Sequence, residues 1–150
     1  MIKVLFVCHG NICRSTMAEF VFKDMIKKEN LEDKFLILSA ATSDEEIGNH
    51  IHSGTRRKLK EVGVIFDESK TAVRIKKSDY DKFDYIIGMD SMNVVNMKKV
   101  FGGDPDGKIF KLLYFSGLER DIADPWYTGN FDITYDDIVM GLSGFLKAVT

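Results

Sequence analysis

The sequence predicts a single α/β domain over residues 1–150, in which a parallel sheet lies between two layers of helices. Short apolar runs typical of buried strands alternate with segments whose apolar residues recur at helical spacing. The 150 residues suffice for one hydrophobic core, and no repeat, low-complexity tract or linker divides them. A polar loop follows the first strand, where functional sites of open α/β sheets form.

Four apolar runs have the length and composition of strands in a sheet that is covered on both faces. The first precedes the polar loop, and the last is the least apolar of the four. The predicted strands cover residues 2–7, 35–39, 85–89 and 108–113.

The first two helices are indicated by apolar spacing and by a stop signal. The helix after the polar loop carries a broad apolar stripe between Met17 and Ile26. A second helix is predicted over residues 55–62, and Gly63 ends it.

The third helix is predicted from a capping residue that follows the third strand. Asp90 or Ser91 would cap it. Its apolar residues Met92, Val95 and Val100 are expected to face the core.

The last helix has the strongest periodicity in the chain. Thr134 and Asp137 resemble a capping box that would start it. Its inward face is predicted to contain Ile138, Leu142, either Phe145 or Leu146, and Val149.

The polar loop places a thiol, Cys8, and a guanidinium, Arg14, at a strand-to-helix junction with five residues between them. The first N–H groups of a helix lack partners and lie at the positive end of its dipole, so they bind anions. Gly10 removes a side chain where the loop bends, and Asn11 tolerates a left-handed backbone. Arg14 adds a planar fork that binds two phosphate oxygens. This pattern indicates a phosphate site with a thiol inside it.

Cys8 is the expected nucleophile. Thiols at helix N-termini and beside cations ionise at pKa values of roughly 3.5–7.5, below the ordinary value of about 8.5. The loop amides and Arg14 supply both conditions, and Ser15 can donate a further hydrogen bond to the departing sulfur. A P-loop nucleotide site is excluded, because the G-x-x-x-x-G-K-[ST] pattern is absent.

Composition limits the partners and the compartment. A formal charge of −2 argues against a general nucleic-acid binder, and the apolar runs are too short to span a membrane. No signal peptide precedes the loop, and the two cysteines share one loop rather than forming a disulfide framework. We therefore expect a cytoplasmic protein that needs no metal or other cofactor.

An acid that protonates a leaving phenol typically accelerates aryl phosphate cleavage by about 10²–10⁴-fold. Both prolines of the chain follow aspartates, at Asp104 and Asp124. Asp104 lies in a glycine-flanked turn, whereas Asp124 precedes Trp126 and Tyr127. These two rings would either flank an aromatic substrate or pack against the last helix. We choose Asp124 as the general acid.

These residues give the chain a resemblance to the low-molecular-weight protein tyrosine phosphatases. The most specific part runs from Val4 to Glu19, and Asp124-Pro125 with its following aromatics matches as well. The resemblance spans essentially the whole chain and implies a four-stranded parallel sheet. It also implies metal-free hydrolysis of phosphotyrosine, in which Cys8 attacks phosphorus, Arg14 holds the phosphate and Asp124 acts as acid and then as base.

The resemblance also assigns the surrounding residues. It implies that the loop holds inorganic phosphate or a similar oxyanion, and that Asn11, Ser15 and Ser39 form a hydrogen-bond network. Cys13 would trap an oxidised Cys8 as a disulfide. The expected partner is a protein containing phosphotyrosine. The predicted substrate- and phosphate-binding residues are His9, Gly10, Asn11, Ile12, Cys13, Ser15, Ser39, Trp126 and Tyr127.

The chain departs from the family pattern at several positions. His9 stands where an aliphatic residue is common, and Glu45 with Glu46 gives the pocket an acidic rim. The family's His-x-Ala-Arg segment is replaced by residues 70–73, which removes the histidine that supports the loop asparagine.

Three other functions are compatible with parts of this pattern. Arsenate reduction on the same fold needs additional cysteines, and this chain has two. Protein arginine phosphatases tend to carry threonine at the position of Ile12. A phosphopeptide-binding module without catalysis would have no need for Cys8, Arg14 and Asp124 together.

Overall fold

The computed structural model describes residues 1–150. Its four strands form one sheet in the order β2-β1-β3-β4, and all neighbouring pairs are parallel. Because β1 pairs with both β2 and β3, the loop after β1 opens at the middle of the sheet's carboxyl edge. The predicted four-stranded parallel sheet is confirmed. The strands are β1 (Ile2–Cys8), β2 (Phe35–Ala41), β3 (Tyr85–Gly88) and β4 (Ile109–Lys111).

Six α-helices and two short 3₁₀ segments complete the chain. The helices are α1 (Arg14–Lys28), α2 (Ser53–Glu61), α3 (Asp79–Lys82), α4 (Ser91–Phe101), α5 (Pro125–Thr128) and α6 (Phe131–Val149). The 3₁₀ segments are Glu32–Lys34 and Leu112–Ser116. None of the helices has the length and apolar character required to cross a bilayer.

The core lies on both faces of the sheet, because successive side chains of a strand point to opposite sides. Val4, Phe6 and Cys8 belong to the larger cluster, which packs against α1 and α6. Leu5 and Val7 belong to a smaller cluster against α3 and α4. Both faces of β1 are therefore buried, and Cys8 ends the strand on the side that α1 covers.

The predicted inward face of α4 is wrong for Met92 and Val95, whereas Val100 is partly buried against the smaller core cluster, as predicted. Met92 and Val95 are 63% and 45% exposed, whereas Asn93, Met97 and Phe101 are buried at four-residue spacing. The side-chain oxygen of Asn93 accepts hydrogen bonds from two backbone amides that follow β3, at 2.9 and 3.1 Å. A polar residue thus faces inward, because it satisfies backbone donors that the end of the strand leaves unpaired.

The predicted capping box of the last helix is also wrong. Helix α6 begins earlier, and the side chain of Asn130 caps it. Thr134 and Asp137 lie inside the helix, where Thr134 donates to the Ala123 carbonyl at 3.0 Å. Two hydrogen bonds of 2.8 Å join Arg120 to Asp137. These residues tie α6 to the segment that leads into α5. Of the two alternatives for the inward face, Phe145 is fully buried.

Candidate active site

The loop between β1 and α1 bends around the sulfur of Cys8. The backbone N–H of Asn11 donates to the sulfur at 3.3 Å, and the hydroxyl oxygen of Ser15 lies 3.1 Å from it. Asn11 has a φ of 58°, the left-handed conformation expected for this residue. This conformation turns the Asn11 amide toward the sulfur. A thiolate at Cys8 therefore has two hydrogen-bond donors beside it.

The side chain of Asn11 connects the loop to the sheet. Its Nδ2 donates to the Ser15 hydroxyl at 2.8 Å and to the Ser39 hydroxyl at 3.0 Å. Its Oδ1 accepts from the backbone N–H of Val73 at 3.2 Å. The three residues expected to form a network are thus joined. In place of a histidine, the chain supports Asn11 with a backbone amide.

Arg14 is 2% exposed, and carboxylates face its guanidinium. Nη1 donates to Asp90 at 2.7 Å and to the Ile122 carbonyl at 2.9 Å, and Nη2 lies 3.4 Å from Asp124. Burial opposes the charged form, but Cys8 and the two carboxylates outweigh it and raise the pKa of Arg14 above its ordinary value. The buried Nε has no partner. Nε is therefore a buried donor of a fixed cation that no group of the protein satisfies.

Asp124 is placed by the start of α5. One of its carboxylate oxygens accepts from the Trp126 amide at 3.1 Å, and Pro125 occupies the first helical position. The other oxygen faces Arg14. The carboxylate is 22% exposed and lines the same pocket as Cys8. It is therefore partly open to solvent and faces the same space as Cys8.

Asp104 has a different environment. Its carboxylate accepts hydrogen bonds from the Tyr80 hydroxyl at 2.6 Å and from the Lys108 and Ile109 amides at 2.8 and 3.2 Å. Burial raises the pKa of Asp104, but these hydrogen bonds outweigh burial and hold the pKa below its ordinary value. Asp104 is thus an anion that fixes a turn, and it does not line the pocket of Cys8.

The pocket combines a polar floor with an aromatic mouth. Trp126 and Tyr127 stand at the mouth and are 55% and 80% exposed. The Trp126 ring contacts the ring of His52, which in turn stacks on Phe131. Asn11, Arg14, Ser15 and Ser39 are not among the lining residues. The pocket is lined by Cys8, His9, Gly10, Ile12, Cys13, Glu45, Glu46, Asp124, Trp126 and Tyr127.

The acidic residues form one side of this mouth. Glu45 lies 2.9 Å from Nε2 of His9, and Glu46 accepts from Asn49 at 2.6 Å. A Cβ at Gly10 would lie 3.2 Å from the Glu46 side chain, so the missing side chain lets Glu46 approach the loop. The two departures from the family pattern, His9 and the acidic pair, therefore occupy the same wall.

Cys13 has a different environment from Cys8, although both are free thiols. Burial, together with Cys8 and Asp124, raises the pKa of Cys13 to about 12. Cys13 is therefore a neutral thiol near pH 7. No group of three or more His, Cys, Asp or Glu side chains is arranged to hold a metal ion.

Two residues make contacts at the site that the sequence did not predict. The sequence predicted Asp90 only as a possible helix cap and gave Glu19 no separate role. Asp90 caps α4 through one oxygen and binds Arg14 through the other. Glu19, buried in α1, accepts a hydrogen bond from Ser39. Asp90 directly follows β3, the neighbour of β1, so its place at the carboxyl edge was the available signal. Glu19 had no such signal.

The chain matches known proteins over nearly its full length. A family model described as low molecular weight phosphotyrosine protein phosphatase matches residues 3–150. The low molecular weight protein-tyrosine-phosphatase YfkJ of Bacillus subtilis is 41% identical over 152 residues, covering 99% of this chain and 96% of that protein.

Solved structures give the same result. SP-PTP, a low molecular weight protein tyrosine phosphatase from Streptococcus pyogenes, superimposes with a TM-score of 0.91 at 44% identity, covering 100% of this chain and 94% of that one. The Drosophila arginine phosphatase DARP superimposes with a TM-score of 0.90 at 29% identity, covering 99% and 98%.

Replacing Asp90 by asparagine tests the contact with Arg14. The single side-chain oxygen of asparagine is expected to stay with the cap, which would turn its NH₂ group toward the guanidinium. We expect kcat/KM for an aryl phosphate to fall about tenfold, because a charge-assisted hydrogen bond is replaced by two opposed donors. Steady-state kinetics measure the effect, and a urea melt checks the fold. A kcat/KM within about twofold of wild type would show that Asp90 only caps the helix.

Proposed function

The chain belongs to the low molecular weight phosphotyrosine protein phosphatase family, and on that basis we propose that it hydrolyses phosphotyrosine through a phospho-cysteine intermediate. The observation that carries the proposal is the position of Cys8 beside two hydrogen-bond donors, in one pocket with Asp124 and next to the buried guanidinium of Arg14. In this proposal, residues 1–150 form one catalytic domain.

Phosphate is held by fixed donors. The first amides of α1 have no intrahelical partners, and the Nε of Arg14 lacks one as well. Arg14 cannot turn away, because Asp90 and the Ile122 carbonyl hold its other end. Such preorganised donors stabilise the charge that develops on the equatorial phosphate oxygens. Inorganic phosphate or a similar oxyanion would bind at the same donors.

In the first step, the Cys8 thiolate attacks phosphorus and an S–P bond forms. The P–O bond to the tyrosine oxygen breaks, and its electron pair stays on that oxygen. Asp124, in its protonated form, gives its proton to this oxygen and becomes a carboxylate. Tyrosine departs as the neutral phenol, and the enzyme retains a phospho-cysteine.

In the second step, the Asp124 carboxylate takes a proton from a water molecule that attacks phosphorus. The P–O bond forms, the S–P bond breaks, and its electron pair returns to Cys8 as the thiolate. The Ser15 hydroxyl, 3.1 Å from the sulfur, stabilises the leaving thiolate. Inorganic phosphate is released, and Asp124 is again protonated for the next cycle.

The side chains at the mouth of the pocket favour an aromatic substrate. Trp126 and Tyr127 line the pocket together with His9, and Ile12 adds an apolar side chain. Since the arginine phosphatase DARP shares the fold, the fold does not decide between phosphotyrosine and phosphoarginine. The size of Ile12 and the two exposed rings favour a flat phenyl group.

We extend the proposal to the substrate, the cellular compartment and the role of Cys13. The substrate would be a protein with an accessible phosphotyrosine, without involvement of nucleic acid or a membrane. We place the protein in the cytoplasm, because a nucleophilic thiol beside a second thiol persists in a reducing compartment. Cys13 would pair with oxidised Cys8 and protect it from irreversible oxidation.

The two catalytic roles are tested by substitution. Cys8→Ser is expected to abolish turnover of p-nitrophenyl phosphate, because a serine hydroxyl is far less ionised than a thiol. With phenyl phosphate, whose leaving group needs a proton, Asp124→Asn should lower kcat by about 10²–10³-fold, while phosphate still inhibits.

Asp104→Asn is the matched control for Asp124→Asn, because Asp104 also precedes a proline but lies in a structural turn. It is expected to change the urea midpoint more than kcat. Equal kcat in the Asp124 variant and the wild type would contradict the assignment of the acid.

Substrate class is tested with peptides of one sequence carrying phosphotyrosine, phosphoserine or phosphoarginine. Phosphotyrosine should be hydrolysed fastest, because its flat ring can pack against the exposed rings at the mouth, whereas phosphoserine is too short to reach the sulfur and phosphoarginine has a flexible chain in place of a ring. Phosphate release measures each rate. Faster hydrolysis of phosphoarginine would overturn the proposed specificity, and absence of turnover with all three would favour a binding module.

A further inference from the structure

Glu19 is a buried carboxylate close to the candidate active site, and the proposed reaction steps do not use it. It is 3% exposed and lies on the face of α1 that is turned toward β2. One of its oxygens accepts the hydroxyl of Ser39, at 2.5 Å, and the other accepts Nζ of Lys23, at 2.6 Å. Lys70 adds a second ammonium nearby, and its Nζ donates to the Ser39 carbonyl at 3.1 Å. Lys23 thus pairs directly with this buried anion, and Lys70 places a second positive charge near it.

The carboxylate fixes the direction of the hydrogen bond with Ser39. An ionised carboxylate only accepts hydrogen bonds, so the Ser39 hydroxyl must donate to Glu19. The Ser39 oxygen is then left to accept, and it accepts from Nδ2 of Asn11 at 3.0 Å. The amide of Asn11 can therefore take only the orientation in which its NH₂ group faces the two serines.

The orientation of Asn11 decides where the proton of Ser15 points. Nδ2 of Asn11 donates to the Ser15 oxygen at 2.8 Å, so the Ser15 hydroxyl proton is free to point at the Cys8 sulfur at 3.1 Å. With the amide reversed, its oxygen would compete with the sulfur for that proton. The Val73 amide, at 3.2 Å, is the other contact that opposes reversal.

We propose that Glu19 is a positioning residue for the phosphatase reaction: through Ser39 and Asn11 it directs the hydroxyl of Ser15 toward the sulfur of Cys8. The inference rests on the proposed function and names a residue of the same site. Glu19 does not touch the substrate. Its effect is to keep one donor aimed at the thiolate, both when the thiolate attacks and when it leaves the phospho-cysteine.

The surrounding charges are consistent with this role. Burial lowers the pKa of Lys70, Glu19 opposes that effect, and Lys23 adds to it. Lys23 and Lys70 are the cations near Glu19. The Cys8 thiol instead faces Arg14, and the other titratable groups in its pocket are His9, Cys13, Glu45, Glu46 and Asp124. The two sets are separated by Asn11 and the two serines, so hydrogen-bond direction connects them.

Replacing Glu19 by glutamine keeps the shape of the side chain but places a donor, instead of an acceptor, opposite the Ser39 hydroxyl. Glutamine has one oxygen, and the ammonium of Lys23 can only donate, so the oxygen turns to Lys23 and the NH₂ group faces Ser39. Ser39 then has no acceptor at residue 19, so its hydroxyl donates to the side-chain oxygen of Asn11 instead. This favours the reversed orientation of the Asn11 amide. We expect kcat for p-nitrophenyl phosphate to fall about tenfold with little change in KM. The pH midpoint of Cys8 alkylation by iodoacetate should rise by about one unit.

The double variant Glu19→Gln with Lys23→Met separates hydrogen-bond direction from packing. Without the ammonium, the glutamine oxygen is free to face Ser39, so kcat and the alkylation midpoint should return most of the way to wild type. Lys23→Met alone serves as the reference for the double variant. Asp24→Asn is the matched control, because Asp24 pairs with the exposed Lys28 on the same helix and has no contact with Ser39.

The outcomes are distinct. A Glu19→Gln variant with the kcat and alkylation midpoint of wild type would overturn the inference. Equal losses in the single and double variants, with lowered urea midpoints, would show a packing role and overturn it as well. A wild-type protein that does not hydrolyse aryl phosphates would refute the proposed function instead, and the alkylation midpoints would still test the hydrogen-bond direction.

Discussion

The hydrogen bonds between the Cys8 sulfur and its two donors depend on one backbone turn. Asn11 has a φ of 58°, a conformation that costs energy in a residue other than glycine. Its side chain offsets that cost with three hydrogen bonds to Ser15, Ser39 and Val73. The loop is thus held by the sheet on one side and by α1 on the other. If the turn relaxed, the sulfur would lose both the Asn11 amide and the Ser15 hydroxyl.

The second constraint is electrostatic. A guanidinium that is 2% exposed has lost most of its hydration, and it is stable only when paired. Asp90 and Asp124 supply the pairing, and a thiolate at Cys8 adds a third negative group. The arrangement keeps Arg14 rigid and leaves one donor, Nε, without a partner. A phosphate group would satisfy this donor, so binding and catalysis use the same fixed charge.

Local patterns predicted the parts of the structure that depend on neighbouring residues. The strand, loop and helix around Cys8 and the left-handed turn at Asn11 follow from short stretches of sequence. Spacing alone misassigns Met92 and Val95 of α4, because Asn93 turns inward to accept hydrogen bonds from two backbone amides that follow β3. Those unpaired amides are known only once β3 is placed. Thr134 was likewise assigned to a cap, although it holds the segment before Asp124. Contacts such as Glu19 with Ser39 depend on how α1 is rotated against β2, which spacing alone does not specify.

The proposed reaction depends on the stabilisation of the Cys8 thiolate by the loop. The most direct measurement is the rate of alkylation of Cys8 by iodoacetate as a function of pH, with the modified residue identified by mass spectrometry. We expect Cys8 to be modified rapidly already at pH 7, with Cys13 unmodified. A profile centred near the ordinary thiol value of about 8.5 would contradict it.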